Sequence, residues 1–183
     1  MPHGIALVVT GSPGSGKTTV GPLVADRHEP SVCLDLDRFF TTIRRGALAP
    51  WTPEAHELNR VVLQAVASAV AAFADGGYVI VAEGIVHPFM LDLFDEACTP
   101  LGIALHDAVL YAPVGVVRQR VQDRRREPAH VGALADAVVV DDLWAQFEAH
   151  GVDERHRIDA GTLAPDGVAE EIDRRLMTGV LRP

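Results

Sequence analysis

Lysine is almost missing from this chain. Its 183 residues include one lysine, Lys17, against fifteen arginines, and the net charge is −9. So acidic a chain lacks the broad cationic face that grips duplex phosphates, which excludes an extended nucleic-acid surface. Cysteine is equally scarce. Cys33 and Cys98 stand far apart with no metal-type spacing, so neither a disulfide framework nor a zinc site is expected, and both read as small buried apolar side chains. The one asparagine is Asn59, which removes the Asn-Lys-x-Asp guanine motif of Ras-type GTPases. Long apolar runs are lacking too. The run 5–9 is too short for a signal peptide, and 61–74 is interrupted by Gln64 and Ser68 and stops at Asp75, too short to span a bilayer. A cytoplasmic protein without membrane contact is expected.

What is present suffices for a core. With 48% apolar and 22% charged residues, and no repeat or linker, residues 1–183 are expected to form one domain. The continuous run Ile5-Ala6-Leu7-Val8-Val9 suits a parallel strand covered on both faces. Further strands are predicted over 32–36, 78–82, 108–111 and 155–158. Helices are predicted over 17–27, 54–74, 89–97, 113–126, 136–149 and 166–177. The second of these starts behind Thr52-Pro53-Glu54 and stops at Gly76-Gly77. Strands alternating with helices imply right-handed βαβ units, hence a three-layer, doubly wound α/β fold on a five-stranded parallel sheet. Ligands bind beyond the carboxyl ends of such strands, here after Val9, Leu36, Ala82 and Tyr111.

Directly after the first strand comes Gly11-Ser12-Pro13-Gly14-Ser15-Gly16-Lys17-Thr18-Thr19, which satisfies G-x-x-x-x-G-K-[ST] between a strand and a helix. Glycines let the backbone wrap a phosphate chain so that successive N–H groups point inward, and the new helix adds its positive end. Lys17 can reach the β- and γ-phosphates of ATP, with GTP not excluded, and the Thr18 hydroxyl can ligate Mg²⁺. In so arginine-rich a chain a surviving lysine is informative, because a planar guanidinium would not fit where a slim ammonium must.

Phosphoryl transfer to a small molecule also needs carboxylates near the acceptor and the metal, and arginines that neutralise the moving charge. Asp35-Leu36-Asp37-Arg38 closes the second strand, and alternation places Asp35 and Asp37 on one face with Asp37 further out. Asp37 either meets the acceptor hydroxyl and the metal or caps a helix beginning at Arg38. Glu83, at the end of the third strand, could hold metal-bound water, share the base role or order the loop. Arg118 and Arg125 suit a solvated face. Arg120 and Arg124, four apart on one helical face, suit a lid over the phosphates around 118–130. A motor ATPase would carry an acidic pair after a later strand, where this chain has Ala112-Pro113.

These residues resemble a known family: small bacterial P-loop kinases of the chloramphenicol phosphotransferase and gluconate kinase type, with ATP-binding and zeta-toxin-like relatives. Besides the phosphate loop, the resemblance lies in Asp37, in Gly46-Ala47-Leu48-Ala49-Pro50-Trp51 followed by His56 and Asn59, and in Glu83-Gly84-Ile85-Val86. It continues through Val140-Asp141-Asp142-Leu143-Trp144 and Arg155-His156-Arg157-Ile158-Asp159. Ile85-Val86-His87-Pro88 is also similar to tunicamycin-resistance ATP-binding proteins. The resemblance implies strand order 2-3-1-4-5 and a base role for Asp37. The chain departs from it at Glu83, where relatives often carry aspartate. The expected function is ATP- and Mg²⁺-dependent phosphorylation of a hydroxyl on a small molecule, an antibiotic or nucleoside-like compound, by a monomer or homodimer. Asp35, Arg38, Trp51, His56, Asn59, Arg60, His87 and Phe89 are candidates for the acceptor pocket. A nucleotide-binding protein that transfers no phosphate, and a nucleotide or polynucleotide kinase, are the alternatives.

Overall fold

The structure is a computed structural model that describes residues 4–125 and 136–182. Three strands form its centre because their sequences can be buried on both faces: β1 (Ile5–Gly11), β3 (Val79–Glu83) and β4 (Leu105–Tyr111). β2 (Ser31–Asp35) and β5 (Arg157–Asp159) complete a fully parallel sheet of order β2-β3-β1-β4-β5.

Alternation along the strands divides the core in two. Ala6 and Val8 of β1, with Ile80 and Ala82 of β3, face α3 (His56–Asp75) and α4 (Asp92–Cys98). Leu7, Val9 and Val81 face α1 (Lys17–Ala25) and α7 (Pro165–Met177). Two further helices, α5 (Val114–Arg125) and α6 (Ala137–Ala149), meet in a small cluster around Val117, Val121 and Val140. Asp136 caps α6 by accepting the Val138 N–H at 2.9 Å.

Three expectations need correction. β4 begins three residues early, at Leu105, because the polar His106 and Asp107 that interrupt its apolar run are nonetheless buried with partners. His106 Nδ1 lies 3.3 Å from the Ala6 carbonyl, and Asp107 Oδ1 lies 3.0 Å from His156 Nδ1. β2 stops at Asp35 instead of reaching Leu36, and the chain turns at once into α2 (Asp37–Thr41). The helical stretch Pro53–Asp75 is 23 residues long and apolar enough to cross a membrane by length and composition, against the expectation that its apolar part is too short. A single 3₁₀ turn, Pro53–Ala55, lengthens it, and its Val62, Val66, Val70 and Ala74 stripe is buried against the sheet.

Phe94 of α4 is completely buried in the cluster that seats α3 on the sheet. Phe94→Ala is expected to destabilise the fold by about 3–5 kcal/mol. Urea unfolding followed by circular dichroism checks this, with the midpoint falling at unchanged slope.

Candidate active site

Parallel register brings the site together. Val9 pairs with Glu83 and Asp35 pairs with Glu83, so three strands end level beneath the phosphate loop. The loop turns tightly enough to need glycine: Gly14 has φ 77° and Gly16, which caps α1, has φ 106°. A Cβ at Gly14 would lie 2.8 Å from the Val117 carbonyl oxygen, whereas one at Gly16 would meet nothing within 4 Å, so the cradle has room for a phosphate chain.

Lys17 opens α1 and is buried, donating from Nζ to the carbonyls of Gly11 and Ser12 at 2.9 Å each. Its third N–H remains for the cleft that it lines. This cleft, about 130 Å³, is bounded by Gly14, Gly16, Thr18, Asp37, Glu83 and Arg124 among others. The Thr18 hydroxyl donates to Glu83 Oε2 at 3.4 Å. Burial pulls the Lys17 ammonium below its ordinary range against the pull of Glu83 and then Asp37 in the other direction. Burial, reinforced by Asp35, pushes Glu83 above the usual carboxylate range, while Lys17 opposes the shift. Asp37 is raised for the same two reasons, burial first and Asp35 second, with Lys17 and Arg124 opposing. Desolvation thus outweighs mutual attraction within the cluster, and a cationic or metal-bearing ligand would restore the charged carboxylates.

Among the described residues no group of three or more His, Cys, Asp or Glu side chains could hold a metal unaided. A hydroxyl from Thr18 with oxygens from Asp37 and Glu83 nonetheless fits Mg²⁺, which keeps several waters and takes phosphate oxygens as ligands.

Arg120 and Arg124 meet beside the phosphate loop but not within the cleft itself. Arg124 lines the phosphate cleft; Arg120 does not. Arg120 lies across the loop, donating from Nη2 to the Ala160 carbonyl at 2.8 Å and from Nη1 to the Ser15 carbonyl at 3.4 Å. Together with Arg124, Gly14, Ser15, Thr19, Val20, Leu163 and Val168 it bounds a neighbouring space of about 230 Å³. Arg118 is held by both Asp141 oxygens, at 2.7 and 2.6 Å, which agrees with an exposed structural role. Part of the lid expected around 118–130 lies outside the described residues.

On the other side of the cleft a larger cavity, about 350 Å³, opens against Asp37. Its apolar wall is Leu36, Phe40, Leu63, Ile85, Met90 and Leu143, and its remaining lining is Asp37, Thr41, Pro50, Trp51, Asn59 and His87. Of the acceptor candidates, Trp51, Asn59 and His87 are therefore brought together. The others are not in the lining. His56 is exposed, Arg60 is engaged by Glu57 and Gln64, Phe89 is exposed beside His87, and Arg38 faces solvent beside Asp35. Asp35 accepts the Asp37 N–H at 2.9 Å and so shapes the turn. Asp37 is the first residue of α2 and does not cap it, so its placement comes from this turn and not from strand alternation.

Sequence reasoning missed Thr10. Buried at the end of β1, its hydroxyl donates to the Val86 carbonyl at 2.8 Å and accepts the Val86 N–H at 2.9 Å, fastening the acceptor loop to the phosphate-loop strand. A threonine closing an apolar strand was the available signal. Leu143 was missed as a wall residue because it arrives from α6, distant in sequence.

A family profile matches residues 7–137, the phosphate loop and both acidic strand ends included. The chain belongs to the AAA-domain family AAA_18. As an AAA_18 member it is similar in structure to a sugar kinase from Janibacter sp. HTCC2649, at 23% identity over 95% of each chain with a TM-score of 0.69. It is similar to the tunicamycin resistance protein of Deinococcus radiodurans, at 22% identity over 94% of this chain and 95% of that one, with a TM-score of 0.64. It is also similar to a gluconokinase from Sinorhizobium meliloti 1021, at 19% identity over 98% and 93%, again with a TM-score of 0.64. Such likenesses show a P-loop kinase-like fold. No curated protein matches the sequence.

Two predictions follow from the acceptor side of this AAA_18 site. Thr10→Val leaves the Val86 N–H and C=O without their buried partner and is expected to cost about 1–3 kcal/mol, read by thermal or urea unfolding. His87, stacked on Phe89 and Phe147, has its pKa lowered to about 4 by burial, with His150 nearby adding to the shift. The folded chain then binds fewer protons at His87 than the unfolded chain between pH 6.5 and about 4. This group's stabilisation is present above pH 6.5 and is lost as pH falls through that window. The raised Glu83 acts in the opposite sense, so the difference between wild type and His87→Gln, unfolded at pH 7 and at pH 4.5, isolates the effect. The wild type should lose more stability than the variant on acidification.

Proposed function

We propose that the protein is an ATP- and Mg²⁺-dependent phosphotransferase that moves the γ-phosphoryl group to a hydroxyl of a small molecule, an antibiotic or nucleoside-like compound. One observation carries this reading: Asp37 lines both the phosphate cleft and the larger cavity, so a single carboxylate faces donor and acceptor. The family and the kinase-like fold support it.

In this reading the triphosphate lies in the loop with Lys17 on its β- and γ-oxygens, and the nucleoside occupies the space beside Arg120. Thr18, with Asp37 and Glu83 nearby, would hold Mg²⁺, which would supply charge neutralisation to the phosphates. The acceptor oxygen bonds to the γ-phosphorus as the bond to the β-phosphate oxygen breaks, ADP departs, and the hydroxyl proton passes to Asp37. Arg124, on the cleft wall, balances the charge that spreads over the γ-oxygens. Because the transition state is loose, alignment by Asp37 matters more than its basicity.

Mass spectrometry of candidate alcohols incubated with the protein, ATP and Mg²⁺ tests the reading. A gain of one phosphate on the acceptor is expected, and tight binding without product would instead support a nucleotide-dependent binder. Asp37→Asn is expected to lower kcat about 100-fold or more while leaving the ATP dissociation constant within about threefold of wild type. Lys17→Ala should show the opposite emphasis, with nucleotide affinity lost first.

A further inference from the structure

His87 lines the cavity of about 350 Å³ that Asp37 also lines, and the residue as a whole is 7% exposed. It follows Val86, which Thr10 pins to β1 through two hydrogen bonds. Its ring stacks on Phe147 of α6, with centroids 4.8 Å apart, and on Phe89, 5.4 Å apart, while His150 lies tilted at 6.1 Å. These contacts hold the plane of the imidazole, and an imidazole hydrogen-bonds through the two nitrogens of that plane. Among the described residues neither nitrogen has a hydrogen-bond partner. Nδ1 has no accessible surface and is closed to any ligand, whereas Nε2 keeps some.

Burial first, and His150 second, lower the pKa of His87 to about 4, so at pH 7 the ring is neutral and carries a single N–H. On Nδ1 that proton would be a buried donor with nothing to bond, which is a rare defect in folded proteins. On Nε2 it sits at the open edge of a ring that belongs to the cavity wall. A half-dry donor left unpaired costs free energy that a ligand oxygen restores.

Resting on the phosphotransfer reading for the identity of the cavity, we propose that His87 is a specificity-determining residue whose Nε2–H donates to a second oxygen of the acceptor, while the hydroxyl to be phosphorylated lies at Asp37. The acceptor class is an alcohol that carries a further hydrogen-bond-accepting oxygen, such as a carbonyl. An alcohol without that oxygen fills the same space but leaves the Nε2–H unpaired.

Two measurements on the full chain test this. Long-range proton–nitrogen NMR of the isotope-labelled protein, with the His87 signals identified by their loss in His87→Gln, should show a neutral ring protonated on Nε2 at pH 7. Calorimetric titration then compares 2-hydroxyacetophenone with 2-phenylethanol, which share a skeleton and differ by a carbonyl in place of a methylene. Wild type should bind the hydroxyketone about tenfold more tightly. In His87→Leu, once circular dichroism shows it folded, that preference should vanish, whereas His87→Gln, whose amide can still donate, should keep part of it. The tautomer and the wild-type preference need no folded variant. A proton on Nδ1, a charged ring at pH 7, equal affinity for the two probes, no binding of the hydroxyketone, or a preference that survives His87→Leu overturns the proposal. Mass spectrometry of the same mixtures with ATP and Mg²⁺ separates the two claims. A hydroxyketone that binds through His87 but gains no phosphate would sink the kinase reading alone, whereas probes that gain phosphate with no regard to His87 would sink this one alone.

Discussion

One buried ammonium group sits where the carboxylates at the carboxyl end of the sheet converge. Lys17 sits in the phosphate loop with Asp37 and Glu83 close enough to act on it electrostatically, and Asp35 adds its own charge to theirs. Three carboxylates in one partly dry space would repel one another without a cation. Arg124 acts on Asp37 from the wall of the cleft, and Lys17 is held by the loop carbonyls of Gly11 and Ser12. The absence of lysine elsewhere in the chain makes this position stand out.

The second constraint is mechanical. Parallel register sets Glu83 level with Val9 and Asp35, and the paired hydrogen bonds between Thr10 and Val86 tie the loop after β3 to the strand before the phosphate loop. The larger cavity is therefore built against the cleft of the phosphate loop and shares Asp37 with it. The wall of that cavity is composed of α2, α3, the loop after β3 and α6, elements separate from the glycine loop itself.

Much of this was legible in the sequence because it depends on local pattern. The apolar runs at Ile5 and Val79, the glycine loop ending in Lys17-Thr18, and the alternation of elements point to the fold class, while the strand order comes from the family resemblance. Glu83 was legible as a strand-end carboxylate. Less legible were features set by burial of polar groups or by distant packing. His106 and Asp107 read as a strand break until their partners Ala6 and His156 arrive from other elements. Asp37 reaches the wall between the two spaces by another route than the sequence suggested, since the turn held by Asp35 places it and strand alternation does not. Of the candidates for the pocket, Trp51, Asn59 and His87 line the larger cavity, whereas His56 and Arg60 share α3 with Asn59 but lie outside its lining, a distinction that motif resemblance carries no information about. Leu143 required the tertiary approach of α6.

The most direct measurement is a crystal structure of the chain with Mg²⁺ and a non-hydrolysable ATP analogue. The account predicts that the Lys17 ammonium bonds β- and γ-phosphate oxygens, that the metal lies against Thr18, and that the γ-phosphate faces Asp37 at the wall between the two cavities. A γ-phosphate directed away from Asp37, with the larger cavity cut off from it, would contradict the account.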